Sequence, residues 1–267
     1  MAVTSSDDSN RTFGRPNLGD GEGLIFDDHV AGKLVVITGG GGLLGAALAR
    51  ELGGRGADIA LLGHDSDEMD QTLASLGSVV RALSLRCDLA SESDVGRAVQ
   101  FLQHLDRPVD YLIHGAGLQT SSTIAWSSVR GLDEHYLWNV RGPYLLTQKL
   151  LPLLSTRSGR VVFFIAPGPE AGSGVGGDVQ HRISVAGLES FARELRIEAD
   201  KMGIHVLTIN AQLSTWADVT ETAIGPGGES LLGTFAQAVT RAILADSVDV
   251  TELSMKVPSG TPRVFQS

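Results

Sequence analysis

The sequence predicts an α/β protein, a single doubly wound domain built on a parallel sheet of seven strands. Short stretches rich in Val, Ile and Leu recur along the chain, and an amphipathic stretch of helical period follows each of them. Near-continuous apolar strands that alternate with helices are typical of a parallel sheet covered on both faces. A chain of 267 residues, 42% of them hydrophobic, is long enough for one such domain.

The same alternation predicts the elements in order. Strands are expected at 34–38, 58–62, 79–85, 109–113, 161–165, 204–209 and 250–257. Helices are expected at 43–53, 66–75, 91–105, 131–154, 182–202 and 229–245. Residues 1–31 are polar and rich in Gly, Asp and Ser, which predicts a flexible extension before a domain over residues 32–267. A lid or an arm exchanged between subunits is the alternative for that extension.

Composition limits the partners. The net charge of −10 and the pI of about 5.1 argue against nucleic acid and against an anionic membrane surface. No apolar run reaches the roughly 20 residues that span a bilayer, and Met1 to Asn10 lack a secretory pattern. Cys87 stands alone, which favours a reducing compartment. We therefore expect a cytoplasmic protein that acts on a small molecule and holds no metal, because no metal-ligand spacing occurs.

A glycine-rich turn joins the first strand to the first helix. Gly40, Gly42 and Gly45 fit the pattern G-x-G-x-x-G, in which the glycines let the backbone approach a pyrophosphate at a helix N-terminus. The pattern follows a predicted strand and opens a predicted helix, as in dinucleotide-binding units. It indicates nucleotide binding, and the alternative is a glycine turn that holds no ligand.

Five local motifs, in order along residues 32–258, resemble those of the short-chain dehydrogenase/reductase family. They are Thr38 to Gly45, Cys87-Asp88-Leu89, Asp110 to Gly117, Asn139 to Tyr144, and Ser158 to Val162. The resemblance implies a Rossmann-type fold that binds NADP or NAD, with Asp88 reaching the adenine. It places the cofactor against Thr38, Gly39, Gly40, Gly42, Leu43, Gly45, His64, Asp88, Leu89, Gly115, Ala116 and Gly117.

The chain departs from the family pattern at the catalytic positions. The family's serine, tyrosine and lysine align with Ala166, His181 and Val185, whereas Asn139 matches the family's catalytic asparagine. Imidazole titrates near neutrality without help from a lysine. The resemblance therefore makes His181 and Asn139 the candidate catalytic residues. A histidine left in a site that has lost its chemistry is the alternative.

Other positions near the predicted cleft also depart from the pattern. Leu43 stands at a glycine of the commoner motif. His114 stands where the family has an asparagine, and we expect it to bond to the backbone as that asparagine does, with a place in the lining of the cleft as the alternative. Ser173 and Asp178, in the stretch 167–178, are further candidates for a cleft hydroxyl or carboxylate.

The cofactor is not fixed by the sequence. Gly63 offers no carboxylate to the ribose 2′-OH of NAD, and His64 stands where an arginine would meet the 2′-phosphate of NADP. These residues favour NADP slightly over NAD, and the absence of a cofactor is the remaining alternative.

Three functions remain open at this point. The first is an atypical NAD(P)-dependent enzyme that acts on a small carbonyl or hydroxyl compound by histidine acid–base chemistry. The second is an enzyme that keeps the pocket for dehydration, cyclisation or isomerisation. The third is a catalytically inactive subunit that pairs with an active relative. We rank the atypical enzyme first and the inactive subunit second.

The chain is also expected to form a homo-oligomer or to pair with a related subunit. The resemblance places the interface on the helices predicted at 131–154 and 182–202. Their apolar residues are either interface or core, and they include Leu145, Leu146, Leu150, Leu188, Phe191 and Leu195.

Overall fold

In the computed structural model, the chain forms a parallel sheet of seven strands. The structure describes residues 30–120, 123–154, 159–166, 179–212, 231–245 and 252–256. The strands are β1 (Leu34–Thr38), β2 (Asp58–Gly63), β3 (Arg81–Arg86), β4 (Tyr111–His114), β5 (Arg160–Ile165), β6 (His205–Gln212) and β7 (Glu252–Lys256). Their order across the sheet is β3-β2-β1-β4-β5-β6-β7, and all neighbours are parallel, which confirms the predicted fold class.

Helices cover both faces of the sheet. They are α1 (Leu43–Gly54), α2 (Ser66–Ser75), α3 (Glu92–Gln103), α4 (Val129–Tyr136), α5 (Gly142–Leu150), α6 (Val179–Asp200) and α7 (Leu231–Leu244). In β1, Val35 and Ile37 join one core with α1 and α7, whereas the alternate residues Leu34 and Val36 join a second core with α3, α5 and α6. A strand buried on both faces has to be apolar throughout, which explains why the strands were visible in the sequence.

The stretch predicted as one helix at 131–154 is broken in the structure. A π-helical turn, Leu137–Arg141, joins α4 to α5, and a 3₁₀ turn, Leu151–Leu153, follows α5. Pro143 lies in the first turn of α5 and has no N–H for the carbonyl four residues earlier, that of Asn139. The wider π turn accommodates this missing bond and carries the buried Asn139.

The apolar residues expected at a subunit interface lie mostly in the core. Leu145, Leu146 and Leu150 of α5 are buried against the sheet, as are Leu188 and Leu195 of α6, and Phe191 packs against the same core. Other apolar side chains of this part of the chain are exposed instead, namely Tyr136, Tyr144, Ile183 and Ile197. The alternative interpretation, core packing, is therefore correct for the residues named from the sequence.

The strand order reverses beside β1, and this reversal positions the site. β1 lies between β2 and β4, so the connections that leave the carboxyl ends of β1 and β4 diverge. Such a divergence opens a crevice at the edge of an open α/β sheet. Thr38 and His114, the last residues of β1 and β4, pair in register at that edge.

The ends of the domain are described only in part. Val30, which precedes the predicted boundary at residue 32, is buried in the core formed with α1 and α7. The rest of the predicted extension lies outside the described residues. Across the described ranges, none of the helices combines the length and the apolar character needed to cross a bilayer.

Candidate functional site

A cleft of about 400 Å³ opens at the carboxyl ends of β1, β4 and β5. The glycine turn forms one wall, the loop after β4 forms the floor, and α6 forms the other wall. A smaller cavity of about 200 Å³ adjoins it beside the ends of β2 and β3. The predicted site residues that line the larger cleft are Gly39, Gly42, Leu43, Gly45, Gly115, Ala116, Gly117, Asn139 and His181.

The glycine turn leaves too little space for a side chain at four of its positions, and at two of these the nearest atom belongs to the backbone. Gly39 has φ +72°, and a Cβ there would lie 2.9 Å from the backbone of Ala116. A Cβ on Gly45 would lie 2.3 Å from the carbonyl oxygen of Gly39. Thr38 completes the junction because its hydroxyl accepts the amide hydrogen of Ala116, at 3.2 Å. These glycines are therefore required by the packing of β1, α1 and the loop after β4.

The start of α1 has the features of an anion site. Gly42 is the N-cap residue, and it supplies no side-chain hydrogen bond to the first turn of the helix, which also contains no acidic residue. Gly42 is exposed and lines both cavities. The amide groups at a helix N-terminus attract anions. The turn therefore fits the diphosphate group of a dinucleotide, with Leu43, 42% exposed, beside it at the mouth of the cleft.

Both ring nitrogens of His181 face main-chain carbonyl groups. Nδ1 lies 3.0 Å from the oxygen of Leu118, in the loop after β4, and Nε2 lies 2.8 Å from the oxygen of Ala166, at the end of β5. His181 is 6% exposed in the first turn of α6. The imidazole thus connects three separate segments at the wall of the cleft.

Asn139 uses its whole amide group in the same way. Its Nδ2 donates to the oxygen of Leu118 at 2.8 Å and to the hydroxyl of Ser184 at 2.9 Å, while its Oδ1 accepts the amide hydrogen of Leu118 at 2.6 Å. The Ser184 hydroxyl donates in turn to the carbonyl of His181, at 2.8 Å. We call Asn139, His181, Ser184 and the backbone of Leu118 the α6 clamp.

The structure thus brings the two predicted catalytic residues together at the cleft. It also shows that the amide of Asn139 and both nitrogens of His181 are engaged inside the protein. Ala166 and Val185 line the cleft beside them and supply only apolar side chains.

His114 lines the larger cleft and has a different partner from the one expected. Its Nε2 lies 2.8 Å from the hydroxyl of Thr147, its ring stacks on Phe163, and its Nδ1 is buried with no hydrogen-bond partner. The expectation of a backbone partner is wrong, because α5 supplies a hydroxyl at this position. Burial lowers the pKa of His114 to about 3, so the ring stays neutral near pH 7.

Of the remaining predicted cofactor residues, two line the smaller cavity, and three line neither cavity, namely Thr38, Gly40 and Asp88. Gly39, Gly42, His64 and Leu89 line the smaller cavity, as does the loop after β4. Gly40 is not among its lining residues, since its amide donates to the carbonyl of Leu62 at the edge of the sheet. Asp88 does not line it either, and its Oδ1 accepts the amide hydrogen of Ala90 at 2.9 Å.

Several lining residues were missed by the sequence analysis. Asp65, Glu68 and Trp138 line the smaller cavity, with the Trp138 ring edge-on to His64 at 5.2 Å, and Gln119 lines the larger one. Asp65 and Glu68 have the spacing of a capping box, which marks a helix start but not the direction of the glutamate. The candidates Ser173 and Asp178 lie outside the described residues.

Metal and thiol chemistry find no support in the described ranges. No group of three or more His, Cys, Asp or Glu side chains there could hold a metal ion. Cys87 borders the smaller cavity but is 1% exposed. Burial above all, with the charges of Asp94 and Asp88 adding to it, raises the pKa of the Cys87 thiol to about 12. The thiol is therefore protonated near neutral pH and a poor nucleophile.

Comparison with known proteins gives one family. The family described as short chain dehydrogenase matches residues 33–222. The ketoacyl reductase HetN of Nostoc sp. is 26% identical over 227 residues, which span 83% of this chain and 78% of HetN. The oxidoreductase UcpA of Salmonella typhimurium is 25% identical over 230 residues, which span 84% of this chain and 87% of UcpA.

Among solved structures, a metagenomic short-chain oxidoreductase in complex with NADP superimposes with a TM-score of 0.71. The two chains are 20% identical, and the match covers 86% of this chain and 100% of the other. A dehydrogenase/reductase from Sinorhizobium meliloti also gives a TM-score of 0.71, at 21% identity, over 87% of this chain and 96% of its own. At these identities the structural similarity shows that this chain shares the fold of the two proteins.

Proposed function

Because the chain belongs to the short-chain dehydrogenase family, we propose that it binds a nicotinamide dinucleotide and serves as a catalytically silent subunit of an oligomer. Binding is supported by the glycine turn and the uncapped start of α1. The lack of catalytic activity is supported above all by one observation, that both ring nitrogens of His181 face carbonyl oxygens. This ranking reverses the one that the sequence favoured.

The dinucleotide would lie along both cavities. Gly42 and the first amides of α1 would hold the diphosphate, and the wall of Trp138, His64 and Glu68 would hold the adenosine. When bound, such a group supplies a hydride donor or acceptor at its nicotinamide ring. This chain's own residues at that end are mainly apolar, among them Ala166, Val185 and Leu188.

The proton that accompanies hydride transfer would need a donor or acceptor at the cleft. In a neutral imidazole one nitrogen carries hydrogen and the other a lone pair. If Nε2 of His181 donates to Ala166, Nδ1 presents its lone pair to the oxygen of Leu118, and the reverse holds for the other tautomer. Proton transfer to a substrate would therefore require His181 to give up one of these two carbonyl contacts. The family's serine, tyrosine and lysine align with Ala166, His181 and Val185. None of these three residues takes over the proton transfer that the family's residues perform.

The second candidate is the atypical enzyme, in which His181 does act as an acid or base. It is supported by the place of His181 on the wall of the larger cleft, beside Gln119. A substrate hydroxyl that displaced the carbonyl of Ala166 would contact Nε2 directly. The substrate would be a small carbonyl or hydroxyl compound, and the reaction would be either redox or a dehydration, cyclisation or isomerisation.

The partner of a silent subunit would be a second copy or an active relative. Tyr136 is 54% exposed, Tyr144 48%, Ile183 53% and Ile197 58%, on α4, α5 and α6. Exposed aromatic and aliphatic residues of this kind are common at protein interfaces.

The acidic composition supports a cytoplasmic location and argues against nucleic acid and membrane surfaces as partners.

Calorimetric titration with NADH tests the binding half of the proposal. We expect saturable binding by the natural chain and at least about tenfold weaker binding by Gly42→Asp. An aspartate at this N-cap would place a carboxylate where the diphosphate would bind, yet would cap α1 and preserve stability. Gly54→Asp is the matched control, because Gly54 ends the same helix with nothing within 4 Å of its Cβ position. Equal affinities in all three proteins would refute the placement, and binding of neither NADH nor NADPH by the natural chain would refute the proposed cofactor.

A further inference from the structure

We propose that Glu68 selects the dinucleotide that lacks a 2′-phosphate, so that the cavity takes NAD(H) and rejects NADP(H). This inference rests on the proposed function, because it concerns the same cleft. It opposes the slight preference for NADP that Gly63 and His64 suggested in the sequence. The structure adds α2 to that comparison, since the first turn of this helix forms part of the cavity wall.

Glu68 lies directly over the glycine turn. A Cβ built on Gly41 would lie 2.7 Å from the Cβ of Glu68 and 3.2 Å from its carboxylate oxygen Oε2. Gly41, Gly42 and Glu68 together line the smaller cavity. The carboxylate is therefore close to the start of α1, on the side that faces the ends of β2 and β3, where the adenosine ribose would lie.

The charge of this wall is negative. Asp65 and Glu68 line the cavity with His64, and the described lining residues include no lysine or arginine. Asp65 is occupied as the cap of α2, because its Oδ1 accepts the amide hydrogens of Asp67 at 2.9 Å and Glu68 at 3.1 Å. Glu68 does not cap the helix and lies against the glycine turn, so it is the carboxylate better placed to meet a ligand there, while Asp65 adds negative charge to the same wall.

The two nucleotides differ at this wall. A 2′-phosphate adds about two negative charges and needs cationic partners. A free 2′-OH can instead donate a hydrogen bond to a carboxylate. Because Glu68 is exposed to solvent, the repulsion is screened, and we expect NADH to bind about tenfold more tightly than NADPH rather than exclusively.

Parallel calorimetric titrations with NADH and NADPH test the inference. We expect a ratio of dissociation constants of about ten in favour of NADH for the natural chain, and about three or less for Glu68→Gln, chiefly through tighter binding of NADPH. Glu198→Gln is the matched control, since Glu198 is exposed near the far end of α6 and carries the same charge. It should leave the ratio unchanged.

Other outcomes overturn the inference in distinguishable ways. Equal or tighter binding of NADPH by the natural chain would overturn it while leaving dinucleotide binding intact. A preference for NADH that Glu68→Gln does not alter would overturn the role of Glu68. Failure of both nucleotides to bind would overturn the proposed function, and this inference with it. Thermal melts of each variant show that the fold is kept.

Discussion

The Nε2 atom of His181 lies 2.8 Å from the carbonyl oxygen of Ala166, so α6 is tied to the end of β5 by a side chain that was expected to transfer protons. The other ring nitrogen is tied to Leu118. A histidine held at both nitrogens fixes the geometry of the cleft wall. Replacing a histidine of this kind should lower the free energy of unfolding, whereas replacing a catalytic group that only faces the cleft should not.

Replacing His181 by phenylalanine should therefore destabilise the fold. The change removes the buried hydrogen bond that the imidazole donates and leaves one carbonyl, that of Leu118 or of Ala166, without this donor. An unmade buried hydrogen bond costs about 1–3 kcal/mol. Urea denaturation should show a loss of free energy of unfolding in that range.

The exposed His104 offers the control for this change. His104→Phe, at the end of α3, should lower the free energy of unfolding by less than about 0.5 kcal/mol. If His181→Phe is as stable as this control, the contacts of His181 contribute nothing to the free energy of unfolding. That result would favour a catalytic role for His181 instead.

Asn139 and Ser184 should be energetically coupled. Their side chains are joined by a hydrogen bond of 2.9 Å in a buried setting. A double-mutant cycle with Asn139→Ala and Ser184→Ala should give an interaction energy of about 1 kcal/mol. Additive effects of the two substitutions would show that the α6 clamp is not one unit.

Gly45→Ala should distort the glycine turn. The new Cβ would lie 2.3 Å from the carbonyl oxygen of Gly39, a contact with rigid backbone. Overpacking of this kind costs about 1–3 kcal/mol. Gly54→Ala in the same helix meets nothing within 4 Å and should be neutral or slightly stabilising. Thermal melts that rank the two variants the other way would contradict the packing described here.

The buried His114 should make the protein less stable in acid. Burial lowers the pKa of His114 to about 3, whereas an unfolded chain protonates this residue near pH 6.5. Between these values the unfolded state binds the extra proton, so the free energy of unfolding falls as the pH decreases, by up to about 1.4 kcal/mol per pH unit. Urea denaturation from pH 7 to 5 measures this slope.

His114→Asn serves as the comparison, because asparagine does not titrate and can still bond to Thr147. The variant should show a flatter dependence on pH over this range, whatever its stability at pH 7. Parallel slopes in the two proteins would mean that His114 is solvated in the folded state.

The fold could be predicted because its signals are local. β1 at 34–38 and α2 at 66–75 follow the predicted bounds, since each depends on the alternation of a few neighbouring residues. The π turn at 137–141 was missed, because it depends on how Pro143 interrupts an otherwise helical pattern.

The roles of the site residues were harder to predict. The partners of His181 are main-chain carbonyl groups 63 and 15 residues away along the chain. Every residue has such a carbonyl, so the residue types do not show which ones the imidazole contacts. Glu68 was overlooked for a related reason. It looks like an ordinary residue of a helix start, and only the approach of α2 to the glycine turn brings its carboxylate into the cavity.

The central claim is that the cleft binds a dinucleotide but lacks a proton relay. The direct test is the rate of NADH oxidation with a panel of small aldehydes and ketones, for the natural chain and for the triple variant Ala166→Ser, His181→Tyr and Val185→Lys. Thermal melts first establish that the variant folds. We predict no turnover by the natural chain and measurable turnover by the variant. Turnover by the natural chain that the triple substitution or His181→Phe abolishes would contradict the claim.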